Sequence, residues 1–163
     1  MELDNYSLEE LLLAAIKSEV ESKGVYTQLS KKVDNAYLSD KLLFIAAEEQ
    51  KHRDFLESVY KMNFQKEAVL PDSSPVPLPE VRVDQGMVMA SEIMLQAMAA
   101  EEAASKFYGY LSGKHELDDE TRKTLDYLSS MEMGHYRLLE IEKQQLDQQE
   151  EYEFEWEMMH AGP

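Results

Sequence analysis

The sequence predicts an all-α protein: an antiparallel four-helix bundle with a long crossover between its second and third helices and a short C-terminal segment. Three observations lead there. The composition favours helices, being rich in Glu, Leu, Ala, Lys, Gln and Met, with only 6 glycines in 163 residues. Four stretches place apolar residues at alternating steps of three and four, the period of one helix face. Pro71, Pro75, Pro77 and Pro79 cluster mid-chain, where they interrupt helix and leave an extended connection.

Ser7-Leu8-Glu9-Glu10 reads as a capping box that opens the first helix, expected to run to about Val33. Its inward seam passes through Leu12, Ala15, Glu19, Ser22, Tyr26 and Leu29, so a carboxylate interrupts the seam at its middle. Asp34-Asn35 marks a turn, and a second helix should run from Ala36 or Ser39 to Met62. Its seam is Leu38, Leu42, Ile45, Glu49, His52 and Leu56, again polar at the centre. Residues 63–84 form the crossover. Asp84 can cap a third helix that ends near Leu111, with Met87, Met94, Ala97, Glu101, Tyr108 and Leu111 inward. Ser112-Gly113-Lys114 breaks it, and Asp118 or Asp119 caps a fourth helix expected to end near Gln149, with Leu125, Leu128, Glu132, His135 and Leu139 inward. Residues 1–149 thus make one bundle domain, and residues 150–163 an acidic, aromatic tail. The alternation Tyr152-Glu153-Phe154-Glu155-Trp156 suits a short strand as well as a short helix or packed tail.

The two halves of the chain repeat each other. Glu19 and Glu101 are 82 residues apart, as are Tyr26 and Tyr108; Glu49 and Glu132 are 83 apart, as are His52 and His135. Residues at one height on antiparallel helices are equidistant from their turn. Glu19 and Glu49 centre on residue 34, within the Asp34-Asn35 turn, and Glu101 and Glu132 centre between 116 and 117, in the connection before Asp118. All six Glu and His side chains are therefore expected at mid-bundle. Four buried carboxylates would each cost several kcal/mol uncompensated. Two divalent cations balance them, and two neutral imidazoles add nitrogen ligands without adding charge. A Glu from each of two helices, plus Glu-x-x-His from each of the other two, is the ligand pattern of carboxylate-bridged two-metal bundles.

A single Glu-x-x-His carries little weight in so acidic a chain. Glu157-Met158-Met159-His160 is a third copy, outside the repeat and without an upstream Glu–Tyr pair, and is read as incidental. Tyr26 and Tyr108 are read first as core aromatics, with hydrogen bonding to ligand carboxylates as the sharper alternative. Glu48 and Glu102 adjoin candidate ligands but lie about 100° further round the helix. His115 is read as a solvated loop residue and Trp156 as a packing anchor.

Composition narrows the classes. A net charge of −17 repels phosphate backbones and anionic lipid, so neither nucleic acid nor membrane is an expected partner. The absence of cysteine excludes disulfides, zinc thiolates and cysteine-held iron–sulfur clusters. An acidic N-terminus, without an apolar run of signal or membrane-spanning length, makes the cytoplasm the default compartment.

On Ala15-x-x-x-Glu19 with Tyr26, Glu49-x-x-His52, Ala97-x-x-x-Glu101 with Tyr108, and Glu132-x-x-His135, the chain resembles the ferritin-like di-iron carboxylate superfamily in its rubrerythrin branch, over residues 7 to about 145. The resemblance implies Glu19 and Glu101 as terminal or asymmetric ligands, Glu49 and Glu132 as bridges, and His52 and His135 each on one metal. It implies two iron ions as cofactor, with manganese as the alternative and zinc as an adventitious occupant. Oxidation of Fe(II) by hydrogen peroxide or O2 is implied in turn, as a peroxidase or ferroxidase serving oxidative-stress defence or iron handling; an iron-binding or storage module with little turnover is the alternative. Two departures stand out. Ala104 occupies the position where rubrerythrins often carry a further Glu, and the cysteine-bearing rubredoxin domain is missing. Electrons would have to come from an external donor such as a rubredoxin-like protein. The duplicated hairpins and long crossover also suggest a homodimer, with exchange of hairpins between chains open to it.

Overall fold

In a computed structural model, described at residues 3–74, 76 and 90–160, the chain forms four helices and no strand among the described residues. They are α1 (Leu8–Ser30), α2 (Ala36–Phe64), α3 (Ala90–Ser112) and α4 (Asp119–His160), preceded by a 3-10 turn at Leu3–Asn5. Local chemistry sets their ends. Ser7 Oγ accepts from Glu10 N at 3.3 Å while Glu10 Oε2 accepts from Ser7 N at 2.9 Å, closing the capping box. Asn35 Oδ1 accepts from Tyr37 N and Leu38 N, and Asp118 Oδ1 from Glu120 N and Thr121 N. Gln65 adopts the left-handed conformation that ends α2, and its N–H returns to Lys61 O at 2.9 Å.

Cross-helix bonds fix the arrangement. In an antiparallel pair the numbers of facing residues have a constant sum. Tyr60 donates to Glu9, and Ser39 to the Ser30 carbonyl, tying α1 to α2. Reciprocal bonds between Ser105 and Ser129 tie α3 to α4, each hydroxyl donating to the other's carbonyl at 2.8 Å. Tyr26 donates to Glu101 and Tyr108 to Glu19, which sets α1 antiparallel to α3. Lys41 pairs with Glu142 across α2 and α4. Each helix thus packs on two neighbours, while α1 and α4 are diagonal, as are α2 and α3. Since α2 ends at one end of the bundle and α3 begins at the other, the connection must travel the bundle's length. Twenty-five residues separate Phe64 from Ala90, a reach of up to roughly 85 Å against about 44 Å for α2.

The core has two apolar halves. One gathers Leu11, Leu12, Leu56, Val59, Tyr108 and Leu125, with Val76 of the crossover packed into it. The other gathers Tyr26, Leu38, Leu42, Ile45, Met94 and Leu139. Between them lies a buried polar layer: Glu19, Glu49, His52, Glu101, Glu132 and His135, each at most 3% exposed.

Two expectations need correction. The fourth helix does not stop at Gln149 but continues unbroken to His160, so the tail through that residue is helical. Glu, Gln and Met are strong helix formers, and no glycine or proline intervenes before Gly162, so propensity overrides a strand-like alternation only five residues long. The second helix also runs two residues further than expected, to Phe64. The Asp84 cap, Met87 and the later prolines of the crossover lie outside the described residues. No helix among the described residues is long and apolar enough to cross a membrane.

Candidate metal centre

Each helix supplies the polar layer from the middle of its inward seam. On α2 and α4 the three-residue step from Glu to His turns both side chains to one face, and the two imidazoles stack across the bundle with centroids 5.7 Å apart. His52 Nδ1 lies 2.8 Å from Glu132, 3.2 Å from Glu49 and 3.7 Å from Glu19. His135 Nδ1 lies 3.2 Å from both Glu49 and Glu132 and 3.6 Å from Glu101. Two overlapping groups result, Glu19–Glu49–His52–Glu132 and Glu49–Glu101–Glu132–His135, with the donor atoms of each within 4.8 Å of one another. Glu49 and Glu132 belong to both.

These residues fit a pair of metal ions. Donors about 2.1 Å from a shared ion stand roughly 3.0–3.4 Å apart, and the approaches above bracket that range. Glu49 Oε1, His52 Nδ1 and Glu132 Oε1 are buried without an aligned hydrogen-bond partner, which is costly unless something else satisfies them. Oxygen and imidazole donors without thiolate suit iron, manganese or zinc.

The site's own electrostatics describe what metal must displace. Burial and the neighbouring Glu49 charge push Glu19 and Glu101 well above the carboxylate range, so both hold a proton. Burial also opposes charge on the histidines, but the carboxylates around them prevail and raise His52 and His135 to about 12. Burial works against ionised Glu49 and Glu132 as well; hydrogen bonding to the histidines and the protonated carboxyls outweighs it and holds both below the usual range. Without metal the layer is therefore neutral, with two carboxylates facing two imidazolium rings.

Tyr26 and Tyr108 each donate to a carboxylate on the opposite hairpin, Glu101 and Glu19. Burial, together with its hydrogen bond to Glu101, raises the Tyr26 hydroxyl well above its ordinary value, so it remains a donor. Other polar residues stand apart. Glu48 pairs with Lys51 and Glu102 with Lys106, and His115 is exposed in the α3–α4 connection. His160 stacks on Trp156 at 3.9 Å, 25 residues beyond His135 and so about 37 Å along α4. Sequence reasoning overlooked Glu142, 3% exposed and paired with Lys41 above the polar layer. The signal was present: it follows His135 by seven residues on the same seam.

The rubrerythrin family profile matches residues 10–143. A hypothetical protein from Pyrococcus furiosus is similar in structure, with a TM-score of 0.77 and 34% sequence identity, over 89% of this chain and 93% of that one. No curated protein matches the chain. The profile spans all six residues of the buried layer and the helices that carry them, and the chain belongs to the rubrerythrin family of ferritin-like di-iron proteins.

Proposed function

We propose that the chain binds two iron ions at the buried layer and oxidises Fe(II) with hydrogen peroxide or O2. The observation that carries this reading is the sharing of Glu49 and Glu132 between two donor groups, each completed by one further Glu and one His. Glu19 and His52 would hold one ion, Glu101 and His135 the other, and Glu49 and Glu132 both. Bound there, iron would supply one-electron steps between Fe(II) and Fe(III), two of which, with two protons, would suffice to take one hydrogen peroxide to two waters.

The chain's residues do the rest. Glu19, Glu101, His52 and His135 each give up a proton when the site fills, so four positive charges leave as two divalent ions enter and the layer stays neutral. Tyr26 and Tyr108 fix the rotamers of Glu101 and Glu19 through hydrogen bonds from the opposite hairpin. Apolar core on both sides keeps bulk water away, which favours an oxidant as small as peroxide or O2. With no cysteine in the chain, reducing equivalents would come from a separate donor such as a rubredoxin-like protein, making the protein a peroxidase. Release of Fe(III) instead would make it a ferroxidase.

Anaerobic loading with Fe(II), followed by peroxide or O2, tests this by absorbance. Two ions per chain, fast oxidation and repeated turnover with added reductant are expected, with binding lost in Glu49→Ala. Stoichiometric binding without oxidation would sink the enzymatic reading and leave iron storage.

A further inference from the structure

Metal must cross the core to reach the buried layer, whose six side chains are at most 3% exposed. Shedding hydration in apolar surroundings is costly for a divalent ion unless an opposite charge meets it on the way. The two apolar halves differ in this respect. The half containing Leu56, Val59 and Leu125 buries no charged side chain among the described residues. The half containing Leu38, Leu42 and Leu139 has Glu142 beside it, the one buried carboxyl outside the layer among the described residues. Glu142 continues the seam of Glu132, His135 and Leu139 by steps of three and four. It therefore stands on the ligand face of α4, about 10 Å along the helix from His135. Its partner Lys41 comes from α2, about 12 Å along that helix from Glu49. The Lys41 side chain is 24% exposed and that of Glu142 3%, so the lysine reaches in from the surface to a carboxylate turned inward. The ammonium also has a second resting place. The Tyr37 ring, itself 65% exposed, lies 4.0 Å from Lys41 Nζ.

We propose that Lys41 and Glu142 form the gate through which divalent metal ions reach and leave the layer, with Glu142 as the carboxylate that takes an ion in transit. At rest the pair is neutral, and the ammonium keeps a buried carboxylate ionised and satisfied. An arriving cation displaces the ammonium, which swings on its flexible stem to water and the Tyr37 face. Glu142 then holds the ion until the larger donor set of the layer takes it. Position separates a gate from a tether between α2 and α4. A tether at the rim would be exposed on both sides, whereas here the carboxylate lies on the ligand face and the lysine alone reaches solvent. Because Glu142 stands apart from the two donor groups of the layer, it sets how fast ions come and go and not how tightly they are held. The inference rests on the reading that the layer binds two divalent ions, and not on what those ions then do.

Anaerobic stopped-flow mixing of the full metal-free chain with Co(II), followed by visible absorbance, measures uptake, and excess chelator measures release. Glu142→Gln should bind two ions at unchanged Kd and unchanged helix content, but load and release them about 10-fold more slowly. Lys41→Gln, which removes the competing charge and keeps a hydrogen-bond donor, should load faster than the parent. Glu142→Asp, which keeps the carboxylate, should stay near the parent rate. A mere tether predicts otherwise, since loosened helices admit ions faster whichever partner is changed. Faster loading in both Gln variants, unchanged rates, or loss of a bound ion in Glu142→Gln would each overturn the gate and leave the metal site standing. No Co(II) uptake by the parent would overturn the metal site itself, and the gate with it.

Discussion

Replacing Tyr108 by Phe keeps a ring that is 1% exposed and deletes a single hydroxyl. Glu19 then loses its donor from α3. The expected cost is about 1 kcal/mol of stability and a roughly 10–100-fold loss of metal affinity, measured by competition with a chromophoric chelator. Unchanged affinity would make the tyrosine a packing residue only. Protonation is also decided at this scale. His52 and His135, raised to about 12, and Glu19 and Glu101, raised above 4.5, bind protons more tightly folded than unfolded. Their stabilisation is complete below the ordinary values and drains as pH rises, from 4.5 for the carboxyls and from 6.5 for the imidazoles. Glu49 and Glu132 act oppositely, contributing above 4.5 and losing that contribution in acid. Metal-free protein should therefore weaken progressively as pH rises from about 6.5 toward about 12, the window between the ordinary and the raised imidazole values. Metal-loaded protein, already deprotonated, should not. Filling the site at neutral pH should release about four protons per two divalent ions, seen with an indicator in weak buffer; release near zero contradicts the protonation pattern.

At the scale of elements, short local signals hold hairpins together. Asn35 satisfies two N–H groups at the start of α2. Asn35→Ala should cost about 1 kcal/mol with metal binding intact, because the cap lies 14 residues from Glu49. A loss of bound metal at full helicity would show that the turn also sets the site. Such signals explain why so much was legible. Capping residues marked the starts of α1 and α4, a turn at Asp34-Asn35 preceded that of α2, and each seam's polar interruption marked the height of the site. Turn midpoints then gave the register, because antiparallel helices have one rise per residue and no freedom to slip once their ends are joined. What stayed hidden was decided across helices. Tyr26 and Tyr108 looked like core aromatics because their partners sit 75 and 89 residues away. Glu142 looked like one acid among many until Lys41 stood opposite it. The end of α4 was misplaced because a five-residue alternation was weighed against a helix whose neighbours do not extend so far.

At the scale of the whole molecule, the buried layer splits one core into two, so metal and fold are linked. The six residues of the layer are at most 3% exposed, yet several of their donor atoms lack aligned partners. Metal bound only in the folded state adds RT ln(1 + [metal]/Kd), or about 4 kcal/mol at a thousandfold excess over Kd. For a chain of this length that is roughly 8–16 °C in Tm, at about 2–4 °C per kcal/mol. Chelation should therefore lower Tm by that order, with helix content unchanged below the transition, because both apolar halves and the described helix caps persist. Returning two equivalents of metal should restore it, and one equivalent should restore less, since Glu49 and Glu132 serve both positions and are fully neutralised only when both are filled. Scanning calorimetry on protein of verified metal content decides the matter. An unchanged Tm after complete removal would mean that the four carboxyls and two imidazoles satisfy each other as well as metal does, and that the layer is a polar core rather than a cofactor site.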